Sequence, residues 1–232
     1  MINESVLTNI NQLSRQWLIA GSLSYSVLKA LGDLPPAEYS VETGTGKSTL
    51  VFSHISQHHV VFTKDDRGDG DSLDHVGESP FLDRDKVEFV VGPTQLTLPV
   101  YKFSKPIGIA FLDGPHGYPF PELEYLCVYP HIKAGGWLIL DDCHIPTVAR
   151  LVDFLKAEAM FRFVKTVRTT AFFQRTEAPT FLTTADGWWM QEYNKKHYPA
   201  LRHSPIWDWP RLLAPQSVKS WVRSIISRVR PE

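Results

Sequence analysis

A chain of 232 residues lies near the upper end of what one continuous core serves, and nothing in it reads as a linker. Its apolar content of 43% and aromatic content of 12% exclude a disordered chain, and a formal net charge of -1 offers no global attraction for nucleic acid. Cys127 and Cys143 form no CxxC pair, no run of about 18 apolar residues occurs, and the N-terminus lacks a basic segment followed by an apolar one. These features predict a soluble, cytoplasmic protein without a disulfide scaffold.

The elements follow in chain order. Apolar residues from Val6 to Leu31 recur at helical spacing with a break near Gly21, which predicts two helices before the first strand. Tyr39 to Glu42 predicts a strand, Thr43 to Gly46 a glycine-rich turn and Lys47 to Ser56 a helix. Val60 to Thr63 predicts a second strand, followed from Arg67 to Ser79 by a segment too rich in Gly, Asp and Ser for regular structure. Val87 to Val91 and Ile107 to Leu112 are short, continuous apolar runs, as in parallel strands covered on both faces. Pro121 to Ile132 predicts a helix stopped by Ala134, Gly135 and Gly136. Trp137 to Leu140 predicts a strand, Thr147 to Ala159 a helix, and Phe161 to Val167 with Thr170 to Arg175 an antiparallel hairpin.

This alternation predicts an α/β fold with a doubly wound, mostly parallel sheet of seven strands ending in an antiparallel hairpin. A single domain is expected, with a helical cap over residues 1–36, a Rossmann-like core over 37–176 and an extension over 177–232. Within that extension Trp188, Trp189, Tyr193, Tyr198, Trp207 and Trp209 crowd together, as in a lid or substrate wall. Val218, Trp221, Val222, Ile225, Ile226 and Val229 then define one face of a basic amphipathic helix. It suits peripheral contact with an anionic membrane, or docking on its own domain or on a partner in a homo-oligomer.

Chemistry concentrates at the strand ends. Glu42-Thr43-Gly44-Thr45-Gly46-Lys47-Ser48 lies between a strand and a helix, where glycines let a ligand approach the backbone closely. A P-loop would need glycine where Val41 stands, and a dinucleotide fingerprint would need a small residue where Thr49 stands. Asp65 or Asp66, after the second strand, occupies the place where α/β nucleotide folds bind ribose hydroxyls. Asp113, Asp141 and Asp142 end the fourth and fifth strands and would repel one another without a cation such as Mg²⁺. An alternative for each is a solvated loop or a helix cap.

Glu42-x-Gly44-x-Gly46 resembles motif I of the class I S-adenosylmethionine-dependent methyltransferases. From Tyr39 to about Lys156, with Gly92-Pro93-Thr94, Leu112-Asp113-Gly114 and Gly135-Gly136 leading to Asp141-Asp142, the chain looks like the small-molecule O-methyltransferases related to the macrocin-type sugar methyltransferases. The resemblance implies methyl transfer to an oxygen of a small-molecule acceptor, a sugar or secondary metabolite. It places the cofactor on Glu42, Gly44, Gly46 and Ser48, with Asp65 at the ribose and Asp113 nearby, and a divalent cation on Asp113, Asp141 and Asp142. The family continues its fourth-strand element as Asp-Gly-Asp, whereas this chain has Asp113-Gly114-Pro115, so His116 or His144 becomes the candidate base. A P-loop-like nucleotide-hydrolysing protein and a non-catalytic cofactor-binding module are the alternative readings.

Overall fold

A computed structural model describes residues 2–13, 23–64, 72–180, 187–188 and 191–197. The chain divides into two units, 1–180 and 181–232. The first contains α1 (Glu4–Gln12), α2 (Tyr25–Gly32), β1 (Ala37–Thr43), α3 (Lys47–Ile55), β2 (Ser56–Thr63), α4 (Ser72–Glu78), β3 (Val87–Val91), α5 (Thr94–Thr97), β4 (Ile107–Leu112), α6 (Phe120–Val128), β5 (Ile132–Leu140), α7 (Pro146–Ala157), β6 (Phe161–Val167) and β7 (Thr170–Arg175). In the second unit the short α8 (Glu192–His197) is described, with His197 Nδ1 donating to the Tyr193 carbonyl at 2.8 Å. Trp188 is described and exposed, whereas Trp189, Tyr198, Trp207, Trp209 and the amphipathic segment 216–230 lie outside the described residues.

One seven-stranded sheet runs in the order β3-β2-β1-β4-β5-β7-β6. β1, β2, β3, β4 and β5 pair in parallel, and β7 alone is reversed, antiparallel to both β5 and β6. Every residue of β4 is buried, as expected for a central strand covered by helices on both sides. Its side chains alternate between faces, so Ile109 and Phe111 join Ile139 and Phe172 in one cluster. Leu7, Ile10, Val27, Leu28, Leu31, Leu50 and Phe52 of α1, α2 and α3 close that cluster from above the sheet. Each such large side chain contributes roughly 1.5–3 kcal/mol on burial.

Two segments depart from expectation. The polar stretch 72–78 forms α4 rather than irregular chain, because Val76 is wholly buried and packs into the same core. The glycines at 135 and 136 do not stop a helix. They lie inside β5, which starts at Ile132, and Gly135 has φ +76°. Ile107 pairs with Ile132 but Ile109 pairs with Trp137, so β5 bulges across the extra residues.

Among the described residues no helix is long and apolar enough to cross a membrane.

Candidate active site

Strand register sets the site. Thr43 pairs with Leu112, and Leu112 with Leu140, so Gly44, Asp113 and Asp141 follow side by side at the carboxyl edge of the sheet. The ladder runs one step further: Asp113 N donates to the Thr43 carbonyl at 3.1 Å, and Asp141 N to the Leu112 carbonyl at 3.1 Å. Gly44 has φ +89°, and a Cβ there would collide with the Asp113 carbonyl oxygen, so only glycine allows β1 and β4 to leave the sheet this close. Gly46 is extended and precedes the first turn of α3, and a Cβ added to it would meet nothing within 4 Å. The turn therefore has room above it.

Beneath the turn lies Glu42, only 1% exposed. Ser48 Oγ donates to Oε1, and Thr49 Oγ1 donates to Oε2 at 2.7 Å. His59 Nε2 is 3.1 Å from Oε2, while its Nδ1 is 2.7 Å from Ser40 Oγ. Thr49 Oγ1 also accepts from Gly46 N at 3.1 Å. The resemblance implies a carboxylate that receives a ligand. The structure instead occupies both its oxygens with donors from the chain, and Ser48, 2% exposed, spends its hydroxyl there too. Both residues shape the turn from below.

Asp113, His116 and Asp142 meet at the ends of β4 and β5, each offering a ligand atom within 4.8 Å of the others. His116 Nε2 lies 3.4 Å from Asp113 Oδ1 and 3.4 Å from Asp142 Oδ2. That nitrogen is buried and makes no well-directed hydrogen bond. The Thr147 hydroxyl, in the first turn of α7, donates to the His116 carbonyl and pins the loop. Asp142 adopts φ +52°, which turns its carboxylate toward the imidazole. Burial raises the Asp113 carboxyl to about 7, opposed by the adjacent His116 imidazole. The adjacent Asp113 carboxylate leads the upward shift of His116, against the desolvation of its ring.

The three aspartates expected to share a cation do not all converge. Asp141 is 4% exposed and accepts from Thr170 Oγ1 at 2.6 Å and Thr169 Oγ1 at 3.4 Å, which ties it to the β6–β7 turn. His116 takes the third place beside Asp113 and Asp142. His144 is peripheral, with Nδ1 at 3.6 Å from Asp142 Oδ1 and a side chain 62% exposed. Asp65 lies outside the described residues. Cys143 serves packing: its thiol donates to the Leu140 carbonyl at 3.2 Å and burial pushes it up to about 11.

Glu124, on α6, escaped the sequence reading. It is 1% exposed and accepts from Thr43 Oγ1 at 2.7 Å, while Thr43 Oγ1 accepts from Asp113 N at 3.2 Å. Its Oε1 sits so close under Gly114 that a Cβ there would strike it. A cavity of about 10 Å³, lined by residues including Gly114, Pro115, His116, Glu124 and Asp141, adjoins it. Burial raises Glu124 to about 7 against the opposing hydrogen bond from Thr43. An acid in a helix of mixed polarity reads as a solvated face, and only the register of β1 against β4 brings Thr43 and Asp113 over it.

Residues 41–143, from the end of β1 to the residues after β5, match the family model described as a methyltransferase domain. No curated protein matches the chain. Among solved structures, the O-methyltransferase TomG of Streptomyces achromogenes, of tomaymycin synthesis and in complex with S-adenosylmethionine, superposes with a TM-score of 0.57 at 18% identity, covering 75% of this chain and 91% of that one. An O-methyltransferase of Bacillus cereus in complex with S-adenosylhomocysteine gives 0.57 at 15% identity, with coverages of 75% and 93%. A methyltransferase of Geobacter sulfurreducens gives 0.57 at 15% identity, with coverages of 77% and 92%. At these identities the likeness is one of fold, and residues 41–143 are similar to the methyltransferase domain that the family model describes.

Proposed function

We propose that the chain transfers the methyl group of S-adenosylmethionine to a hydroxyl oxygen of a small polar acceptor, a sugar or secondary metabolite, in the cytoplasm and with a divalent cation such as Mg²⁺. The observation that carries this reading is His116 Nε2 held 3.4 Å from the carboxylates of both Asp113 and Asp142 beside the glycine turn. The cofactor fits the turn because there is space above Gly46, and because the buried Thr45 hydroxyl lacks a hydrogen-bond partner. S-adenosylmethionine supplies an electrophilic methyl, and a cation supplies a positive charge that polarises the acceptor hydroxyl. Asp65 keeps its assignment to the ribose.

The chain's own residues then have defined tasks. Asp113 and Asp142 would hold a small divalent ion through hard carboxylate oxygens, which leaves His116 outside the donor set. His116 takes the acceptor proton, and its backbone is fixed by Thr147 so that the ring does not swing away. His144, on the exposed side of Asp142, is less well placed for that role. Asp141 keeps the β6–β7 turn against β5 instead of donating to the ion. Positioning and exclusion of water carry most of the rate, since a direct displacement requires no covalent step on the protein.

The test is methyl transfer from labelled S-adenosylmethionine to a panel of sugars and hydroxylated metabolites, with Mg²⁺ or with a chelator. Transfer that falls in His116→Ala and Asp142→Asn supports the reading. Cation dependence is read separately as Mn²⁺ binding by electron paramagnetic resonance. Transfer that survives both substitutions would move the chemistry elsewhere in the crevice.

A further inference from the structure

Glu124 is a buried acid that the tasks assigned above leave unused, and packing alone does not call for it. It is 1% exposed on α6, and burial raises its carboxyl to about 7. Among the described residues its Oε1 has no hydrogen-bond partner, and the nearby Thr94 hydroxyl makes no directed bond to it. An apolar side chain of the same size would fill the place without an unsatisfied polar atom, so the carboxyl costs stability that a second role must justify. Its two oxygens meet consecutive residues of the loop that carries His116. Oε2 accepts from Thr43 Oγ1 at 2.7 Å, and that hydroxyl oxygen accepts from Asp113 N at 3.2 Å, sharing the N–H with the Thr43 carbonyl. Oε1 lies under Gly114, where a Cβ would strike it.

His116 needs such support. Its Nε2 is buried without a well-directed hydrogen bond, and the residue borders the cavity of about 10 Å³ that Gly114, Glu124 and Asp141 also line. A ring with space beside it takes its direction from the backbone that carries it. Thr147 holds that loop at the His116 carbonyl, and Glu124 meets its other end at Asp113 and Gly114. We propose that Glu124 is a positioning residue, which through Thr43 and Gly114 fixes the backbone that aims the Asp113 carboxylate and the His116 ring at the reacting hydroxyl. The assignment rests on the proposed methyl transfer, and the side chain itself touches neither cofactor nor acceptor. Side chains alternate along β1, so Thr43 meets Glu124 of α6 while Glu42 meets Ser48 and Thr49 of α3. The glycine turn therefore keeps its own support when Glu124 is changed.

The experiment compares the wild type with Glu124→Leu, which keeps the bulk without the oxygens, with Thr43→Val, which breaks the link from its other end, and with the conservative Glu124→Gln. Each protein is read by the His116 ring signals in heteronuclear magnetic resonance spectra at one pH, identified by their loss in His116→Ala. Mn²⁺ affinity is read by electron paramagnetic resonance, and S-adenosylhomocysteine affinity by calorimetry. Glu124→Leu and Thr43→Val should each move the His116 signals and weaken Mn²⁺ by about tenfold, the loss expected when a group behind a metal ligand is removed. The double variant should be no worse than the worse single one, because both changes break the same link. S-adenosylhomocysteine should bind every variant like the wild type, and Glu124→Gln should recover most of the Mn²⁺ affinity. His116 signals unmoved in both single variants would overturn the assignment. Equal weakening of Mn²⁺ and S-adenosylhomocysteine would overturn it too, since Glu124 would then only support the fold, and additive losses in the double variant would overturn the link through Thr43. A wild type that binds S-adenosylhomocysteine but no Mn²⁺ removes the cation from the proposed function, and the His116 signals still decide on Glu124. A folded wild type that binds no S-adenosylhomocysteine removes the cofactor reading and this assignment with it.

Discussion

Replacing Glu124 by glutamine should change how stability depends on pH in a direction that the buried position fixes. Glu124 is 1% exposed, and burial raises its carboxyl from 4.5 to about 7 in the folded chain. The native state therefore holds this proton more tightly than the unfolded state does. Its contribution is fully present below 4.5 and is lost as pH rises toward and through about 7. Between about pH 5 and about pH 8 that loss amounts to about 2.5 kcal/mol, an appreciable fraction of a typical domain's stability. In Glu124→Gln the amide oxygen still accepts from Thr43 and no charge develops, so the loss disappears. Urea unfolding followed by circular dichroism at the two pH values gives the comparison. Asp113, also raised to about 7, titrates in both proteins and cancels in the difference. Wild type and variant losing the same free energy between the two pH values would refute the reasoning, and would mean that Glu124 is hydrated or paired as an anion.

Gly44→Ala should destabilise the chain by about 2 kcal/mol or more, because φ is +89° and the new methyl meets the Asp113 carbonyl; thermal melting reads this directly. Glu42→Ala should cost about 3 kcal/mol by leaving Ser48, Thr49 and His59 without their acceptor, and a variant that melts like the wild type yet binds no cofactor would show that the carboxylate reaches the ligand itself. His116→Ala should slow methyl transfer by roughly 100-fold or more, and His144→Ala by much less, in steady-state assays with saturating cofactor; the reverse order would move the base to the exposed side of Asp142.

The fold was legible because its strands are short apolar runs that turn residues interrupt. Val87–Val91, Ile107–Leu112 and the pair at 161–167 and 170–175 have the expected bounds. Composition misled where one residue outweighed it: Val76 anchors a helix in a polar stretch, and Gly135 reads as a helix stop although it makes a bulge in β5. At the site, sequence order showed which residues end the strands but not where their side chains turn. Asp141 and Asp142 are adjacent, yet one faces Thr170 and the other His116, a split produced by the left-handed backbone at Asp142. The motif drew attention to Glu42 as an open acid, and its burial follows from His59 on the neighbouring strand, which no spacing within the motif reveals. Glu124 was invisible for the same reason, since its partners come from β1 and from the loop after β4.

The measurement closest to the central claim is calorimetric titration of the purified chain with S-adenosylmethionine and, separately, with ATP and Mg²⁺. The account predicts saturable binding of S-adenosylmethionine at one site per chain and none of ATP, because the turn between β1 and α3 is too short to enclose a triphosphate. Saturable ATP binding with no response to S-adenosylmethionine would contradict it and would make Lys47 a phosphate ligand.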